Sequence, residues 1–265
     1  MKETEIIFVC FVCLAASTIG GICGVGGGVV IKPVLDATGI MSVSTLSFLS
    51  GLTVLTMACV NVLKSRKSSE LDAKRSIPLG LGAAVGGVTG KYLFDFIKKA
   101  VGNDQLVGGI QAIVLGIMVL GTMLYVINKA RIQSKNIQNP AATVLIGLLL
   151  GIASSFLGIG GGPMNLAVLY FFFSMDTKKA AINSILVILF SQIASLFFSL
   201  VSKTVPDFNW GMLIAMAGAG ALGGFLSSYF HKKLSAELTD KLFIGLLAAI
   251  LIICAYNAIR MLGAA

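Results

Sequence analysis

The sequence predicts an all-α polytopic membrane protein built as two homologous inverted repeats, each with one glycine-broken helical element, re-entrant or discontinuous, plus three transmembrane helices. Three observations carry that prediction. Of 265 residues, 57% are hydrophobic and 12% charged, too little polar surface for a soluble domain of this length. Apolar runs of about 20 residues recur along the chain, the length at which a helix rising about 1.5 Å per residue crosses roughly 30 Å of hydrocarbon. A glycine-rich pattern, GVGGG at 24–28, returns as GIGGG at 158–162.

The first apolar run, 6–22, follows the acidic Glu3 and Glu5 and is one of many alike, so it reads as part of the mature protein and not as a signal peptide. It meets a cluster of four glycines in five positions, which leaves the backbone free for a tight turn and does not suit a continuous helix. A short helix is expected from about Val29. Spans at 41–63, 77–97 and 106–127 complete a first unit, residues 1–128. A polar, basic linker, 129–139, leads to the second unit, 140–265. There the run 141–157 meets the second glycine cluster, and Pro163 suits the first position of the helix that follows. Spans at 180–201, 210–230 and 242–261 end the chain. Ala84-Val85-Gly86-Gly87 before Tyr92 recurs as Ala221-Leu222-Gly223-Gly224 before Tyr229, so the register of the two copies is nearly constant.

Charge chooses the orientation. Lys64, Arg66, Lys67, Lys74 and Arg75 crowd one loop, Lys129, Arg131 and Lys135 the linker, and Lys232, Lys233 and Lys241 a third segment, which the positive-inside rule makes cytoplasmic. All three lie inside only if each glycine-broken stretch enters and returns to its own side, with both termini outside. Each unit then has three full crossings, an odd number, and the copies are inverted, as in many secondary transporters. An eight-span arrangement, in which each broken stretch crosses once, stays open at this stage because the arms 6–22 and 141–157 are long.

Helix starts at the two breaks would offer free N–H groups and the positive end of the helix dipole to an anion, inside a medium that screens poorly. The candidate binding residues are Gly24, Gly26, Gly27, Gly28 and Val29 at the first break and Gly158, Gly160, Gly161, Gly162 and Pro163 at the second. The competing reading is that small residues merely let helices cross closely. Thr45, Asn165, Asn183 and Ser184 are candidate neutral donors, with Ser47 and Gln192 behind them. Lys32, one turn into the first short helix, either attracts the anion or extends its ammonium to an interface. Leucine at Gly28 or Gly162 is expected to stop transport and leave the fold intact.

Other features read as structural. The net charge of +9 sits in loops where topology explains it, so no nucleic-acid partner is implied. Cys10, Cys13, Cys23, Cys59 and Cys254 lie in apolar stretches and suggest neither disulfide nor metal site, and no cofactor motif is present. Neither glycine cluster has the pattern of a nucleotide-phosphate loop. Lys91 and Asp95 are spaced to pair on one helix. His231 reads as a solvated loop residue, and Asp36 as reaching water, so no buried carboxylate is expected. No nucleophile, base or metal cluster suggests an enzyme.

GVGGGVVIKPVL, Gly24 to Leu35, resembles the GxGGGxxxxPxL signature of the TauE/SafE family of sulfite and organosulfur anion transporters, and GIGGGP resembles that family's second copy. The resemblance covers length, span count, duplication and both motifs. It implies a multi-pass exporter or permease of the cell inner membrane, with a small anion such as sulfite or a sulfonate and the lipid bilayer as partners; a homodimer is left open. An anion channel, or a permease for another small oxyanion or a carboxylate, is the alternative. Ala167 stands where Pro33 stands in the first copy, and Lys32 where an apolar residue is expected. Outward movement of one negative charge down an inside-negative potential yields about 2.3 kcal/mol per 100 mV, enough to drive export without a proton.

Overall fold

The computed structural model describes residues 3–66, 68–159 and 161–263. The first half contains α1 (Glu3–Cys23), α2 (Gly28–Thr38), α3 (Val43–Ser65), α4 (Ala73–Val101) and α5 (Asp104–Asn128). A 3-10 turn at Lys129–Arg131 opens the linker, and the second half repeats the order with α6 (Pro140–Phe156), α7 (Pro163–Phe173), α8 (Thr177–Val201), α9 (Trp210–Lys233) and α10 (Ala236–Leu262). Side-chain caps start many of these helices. Ser42, Asn103, Asn139, Asp176, Asn209 and Ser235 each accept from a backbone N–H of the first turn, donors the helix itself leaves unpaired. Gly39 and Gly102 close α2 and α4 in the left-handed conformation.

Among the described residues six helices are long and apolar enough to cross a membrane: α1, α3, α5, α8, α9 and α10. The long α4, expected as a span, is glycine-rich and carries Lys74, Arg75, Lys91, Asp95, Lys98 and Lys99, which lowers its hydropathy. It lies against α6 and α8.

Each half grips the other. The first helix of one half packs on the fourth of the other, α1 on α9 and α6 on α4. Both pairs run parallel. Gly223 meets Ser17 and Ser227 meets Gly21, while Gly86 meets Leu148 and Gly90 meets Ile152. A Cβ on Gly86 would fall on the Leu148 carbonyl, so the α4 and α6 backbones approach as small residues allow in membranes. The last helices of the two halves, α5 and α10, run antiparallel. Gly108 lies by Met261, Gly116 by Cys254, and Lys129 pairs with Asp240 at 2.6 Å, which sets α5 against α10.

The loops sort to two ends. At one, Arg75 donates to Phe173 O and to Asn136, Lys179 pairs with Asp72, and His231 Nε2 lies 3.5 Å from Glu70. The three basic segments thus gather together. At the other end Lys98 bonds Ser44, Thr45 donates to Asp207 O, and Arg260 donates to Ala37 O. The stretch α1–α2 begins beside the start of α9 and finishes where Gly39 meets Arg260, at this second end. The stretch α6–α7 begins and finishes at the basic end, where Phe173 meets Arg75. Each glycine-broken stretch thus begins and finishes at one end of the bundle, although α1 alone is long and apolar enough to cross a membrane.

Candidate functional site

The two glycine breaks meet inside the helical bundle. Gly24 and Gly26 take φ of 75° and 79°, a region side chains avoid, and the amides of Gly24, Val25 and Gly26 donate back to Gly21 and Gly20. Gly158, with φ of 65°, closes α6 the same way through Ser155. A Cβ on Gly28 would fall on the Ile159 carbonyl oxygen, and one on Gly161 would lie 3.1 Å from the Val25 carbonyl. Val25, Val29 and Ile159 are fully buried at this crossing. Gly160 lies outside the described residues. Gly162 stands apart, because its Cβ would meet nothing nearer than 3.9 Å.

The crossing leaves donors unspent. Among the described residues Gly27, Gly28 and Val29, at the start of α2, donate to no backbone carbonyl, nor do Gly161 and Gly162 before Pro163 at the start of α7. Any helix start has such groups, but here they are buried. Three buried hydroxyls without partners join them: Ser17, Ser50 and Ser184. Ser17 Oγ lies 2.8 Å from the Cβ position of Gly27. On α3, Ser50 shares a face with Ser47, which meets Gly158, and with Val54, which meets Gly28. On α8, Ser184 shares a face with Ala181, which meets Gly24, and Ile188, which meets Gly161.

Ser184 was expected from sequence, whereas Ser17 and Ser50 were not. The available signal was the repeat itself. Ser50 and Ser184 are 134 positions apart, the same interval that separates Gly24 from Gly158.

A cavity of about 40 Å³ opens beside Gly158, lined among others by Ser47, Lys91, Ser155, Gln192 and Ser195. The repeat interval carries it onto a second cavity, of about 10 Å³, at Asn61, Ser65, Ile182 and Ile185. Asn61, on its wall, is tied to α9: its Nδ2 donates to Ser227 Oγ at 2.8 Å and its Oδ1 accepts from Ser228 Oγ at 2.7 Å. The larger cavity faces the end of Lys98 and the smaller the basic end.

Several expected site residues lie elsewhere or do other work. Thr45 caps into Ser42 and donates to Asp207 O, at the loop end of α3 and away from the breaks. Asn183 is consumed by the loop after α3, accepting from Asp72 N and Ser76 Oγ and donating to Glu70 O. Asn165 is buried in the first turn of α7. Lys32 neither extends to an interface nor stands free, because its ammonium pairs with Asp36 at 2.8 Å. Asp36 is itself 7% exposed, so the expectation that it reaches water is corrected. His231 is also buried: it ends α9, with Nδ1 3.2 Å from Ile22 O. Lys91 pairs with Asp95 at 3.3 Å as its spacing predicted, and also borders the larger cavity.

Comparison with known proteins places this geometry in context. The model of the family described as Sulfite exporter TauE/SafE matches residues 9–253. A Bacillus subtilis (strain 168) protein named "Probable membrane transporter protein YunE" is 23% identical over 248 residues, 84% of this chain and 88% of that one. A Haemophilus influenzae (strain ATCC 51907 / DSM 11121 / KW20 / Rd) protein named "Probable membrane transporter protein" is 25% identical over 269 residues, 96% of each chain. No solved structure matches.

Proposed function

The chain belongs to the TauE/SafE sulfite exporter family, multi-pass transporters of the membrane, and from that premise we propose that it is a secondary carrier that exports sulfite or a small organosulfonate. The anion binds between the glycine breaks and moves by alternating access. One observation carries the reading: the two buried breaks touch at Gly28 and Ile159 and, among the described residues, leave five amides without a backbone acceptor and three hydroxyls without partners. An oxyanion needs several donors at once, and donors held by backbone geometry bind it with little reorganisation.

The paired cavities support a carrier over a channel. They occupy equivalent positions in two inverted repeats, yet one is about 40 Å³ and the other about 10 Å³ and stoppered by Asn61. Inversion makes the stoppered arrangement the mirror of the open one, so exchange of the two would present the breaks to the opposite side. The antiparallel setting of α5 against α10 supports the inversion. By the positive-inside rule the gathered basic loops are cytoplasmic, which makes this an outward-facing form.

The test is sulfite efflux from loaded proteoliposomes of the purified protein, with taurine, sulfoacetate and sulfate as competitors. Saturable efflux, reduced by the preferred competitor, is expected. Flux that never saturates would favour a channel, and no flux of any sulfur anion by inserted, folded protein would overturn the substrate class.

A further inference from the structure

The Lys32–Asp36 pair stands in a pocket whose other polar atoms are unmatched. Asp36 Oδ1, Gln111 Oε1 and Asn257 Oδ1 are all buried and all lack a hydrogen-bond partner. All three residues line one cavity of about 10 Å³ between α2, α5 and α10, next to Lys32 and Leu157. Each residue is more than nine-tenths buried. The amide nitrogens are already placed, Gln111 Nε2 on Phe156 O at 2.6 Å and Asn257 Nδ2 on Pro33 O at 2.7 Å, so it is the oxygens that are left unmatched. Three acceptors without a donor call for something that supplies hydrogen. A metal cation fits poorly, because the Lys32 ammonium already neutralises Asp36 and would repel it. A proton on Asp36 Oδ1 fits well: the new O–H donates to Gln111 or Asn257 and satisfies two orphans together.

Lys32 links this pocket to the glycine breaks. Its Cε lies 3.3 Å from the Cβ position of Gly158, while its Nζ reaches Asp36. Rotation of the last side-chain torsions swings the ammonium between the two. We propose that Lys32 and Asp36 form a proton-coupling site: an anion bound at the breaks draws the Lys32 ammonium off Asp36, and Asp36 takes up a proton from bulk water. This rests on the anion reading above.

The charges balance. Before binding, Lys32 and Asp36 sum to zero. With a monoanion against Lys32 and Asp36 protonated they sum to zero again, whereas binding without the proton would strand a negative charge in a buried site. Among the described residues, the other charged or titratable groups near the pair are Cys254 and Arg260 on α10, Cys13 on α1, packed in the cluster that holds Leu35, and, across the cavity at Gly158, Lys91 on α4, which pairs with Asp95. Arg260 is committed to the carbonyls of Asp36 and Ala37 at the end of α2. From α3 the same cluster receives Leu46 and Leu49, and from α5 the pocket receives Gln111, none of them ionisable. A carrier so built moves a monoanion together with a proton, without net charge.

The experiment titrates methanesulfonate, an anion that does not itself titrate near neutrality, into purified full-length protein in weakly buffered detergent. Calorimetry reads anion binding and a pH dye reads proton uptake; sulfite is run in parallel with its own protonation subtracted from a protein-free cell. About one proton per anion is expected, with the apparent Kd weakening by up to about tenfold per pH unit on the alkaline side. The double variant Lys32→Met, Asp36→Asn removes both charges and strands neither; it should bind the anion more weakly, with no proton uptake and a flat pH profile. Binding without proton uptake in the unmodified protein overturns the coupling and leaves the anion site standing. Proton uptake that persists in the double variant also overturns it, since the proton then sits elsewhere. Folded protein that binds neither methanesulfonate nor sulfite overturns the anion reading, and this inference falls with it.

Discussion

Gly28 and Ile159 are in backbone contact: a Cβ on the glycine would occupy the position of the Ile159 carbonyl oxygen. Two stretches far apart in sequence are thereby locked at the point where both helices restart. Gly28→Ala should destabilise the protein by about 1–3 kcal/mol through overpacking, because a carbonyl of a closed turn cannot step aside. This replaces the sequence expectation that a larger residue at Gly28 leaves the fold intact. Gly162 has room and an extended φ of −143°, so Gly162→Ala should keep the unfolding temperature and change transport alone. Equal thermal stability of the two alanine variants in detergent would contradict this.

The unpartnered hydroxyls give a symmetric test. Ser50→Ala and Ser184→Ala should each weaken sulfite affinity by about ten- to a hundredfold, the range of about 1.5–3 kcal/mol for a hydrogen bond to a charged group. Stability should change little or rise, since each hydroxyl is buried without a partner in the ligand-free protein. Competition binding on both variants checks it, and unchanged affinity in both would remove α3 and α8 from the site.

Asn61 lines the smaller cavity and ties α3 to Ser227 and Ser228 of α9, the contact proposed above to stopper that side. Asn61→Ala removes two buried hydrogen bonds, about 1–3 kcal/mol, and should raise the population open at the basic end at least severalfold. Labelling of a cysteine placed at Ser65, in a Cys59→Ser background, should quicken to match. If the labelling rate stays that of the Asn61 parent, the residue is no stopper.

Asn183 distinguishes support from binding. Its amide ties Glu70, Asp72, Ser76 and Lys179. Asn183→Ala should cost about 3 kcal/mol of stability by orphaning buried partners, with the KM of the surviving protein unchanged. A raised KM at unchanged unfolding temperature would return Asn183 to the anion site.

Five of the six expected spans and both breaks were legible in the sequence because their signals are local, about 20 apolar residues for a crossing and four glycines in five to interrupt one; the span expected at 77–97 is the charged α4, and α1 stands among the crossing-length helices in its place. The burial of Asp36 was not legible. It sits near the end of a short helix and is covered by Asn257 and Arg260 on α10, contacts that no local pattern announces. His231 was misread for the same reason, as its cover comes from Ile22 and Glu70. Ser50 was hidden differently: a serine in an apolar helix ordinarily bonds its own backbone, as Ser47 does, and only comparison with Ser184 marks it.

The parallel pairing of α1 with α9 and α6 with α4 bears on how the molecule is made. Ser17 leaves the ribosome long before Gly223, the residue it packs against, exists. The first hairpin therefore waits in the bilayer with its glycine turn unsupported until nearly the whole polypeptide has been synthesised. A nascent chain halted at the linker has every helix of the first half but lacks α9 and α6, against which α1 and α4 chiefly pack, so its quality control in the cell falls to whatever shields those faces during that interval.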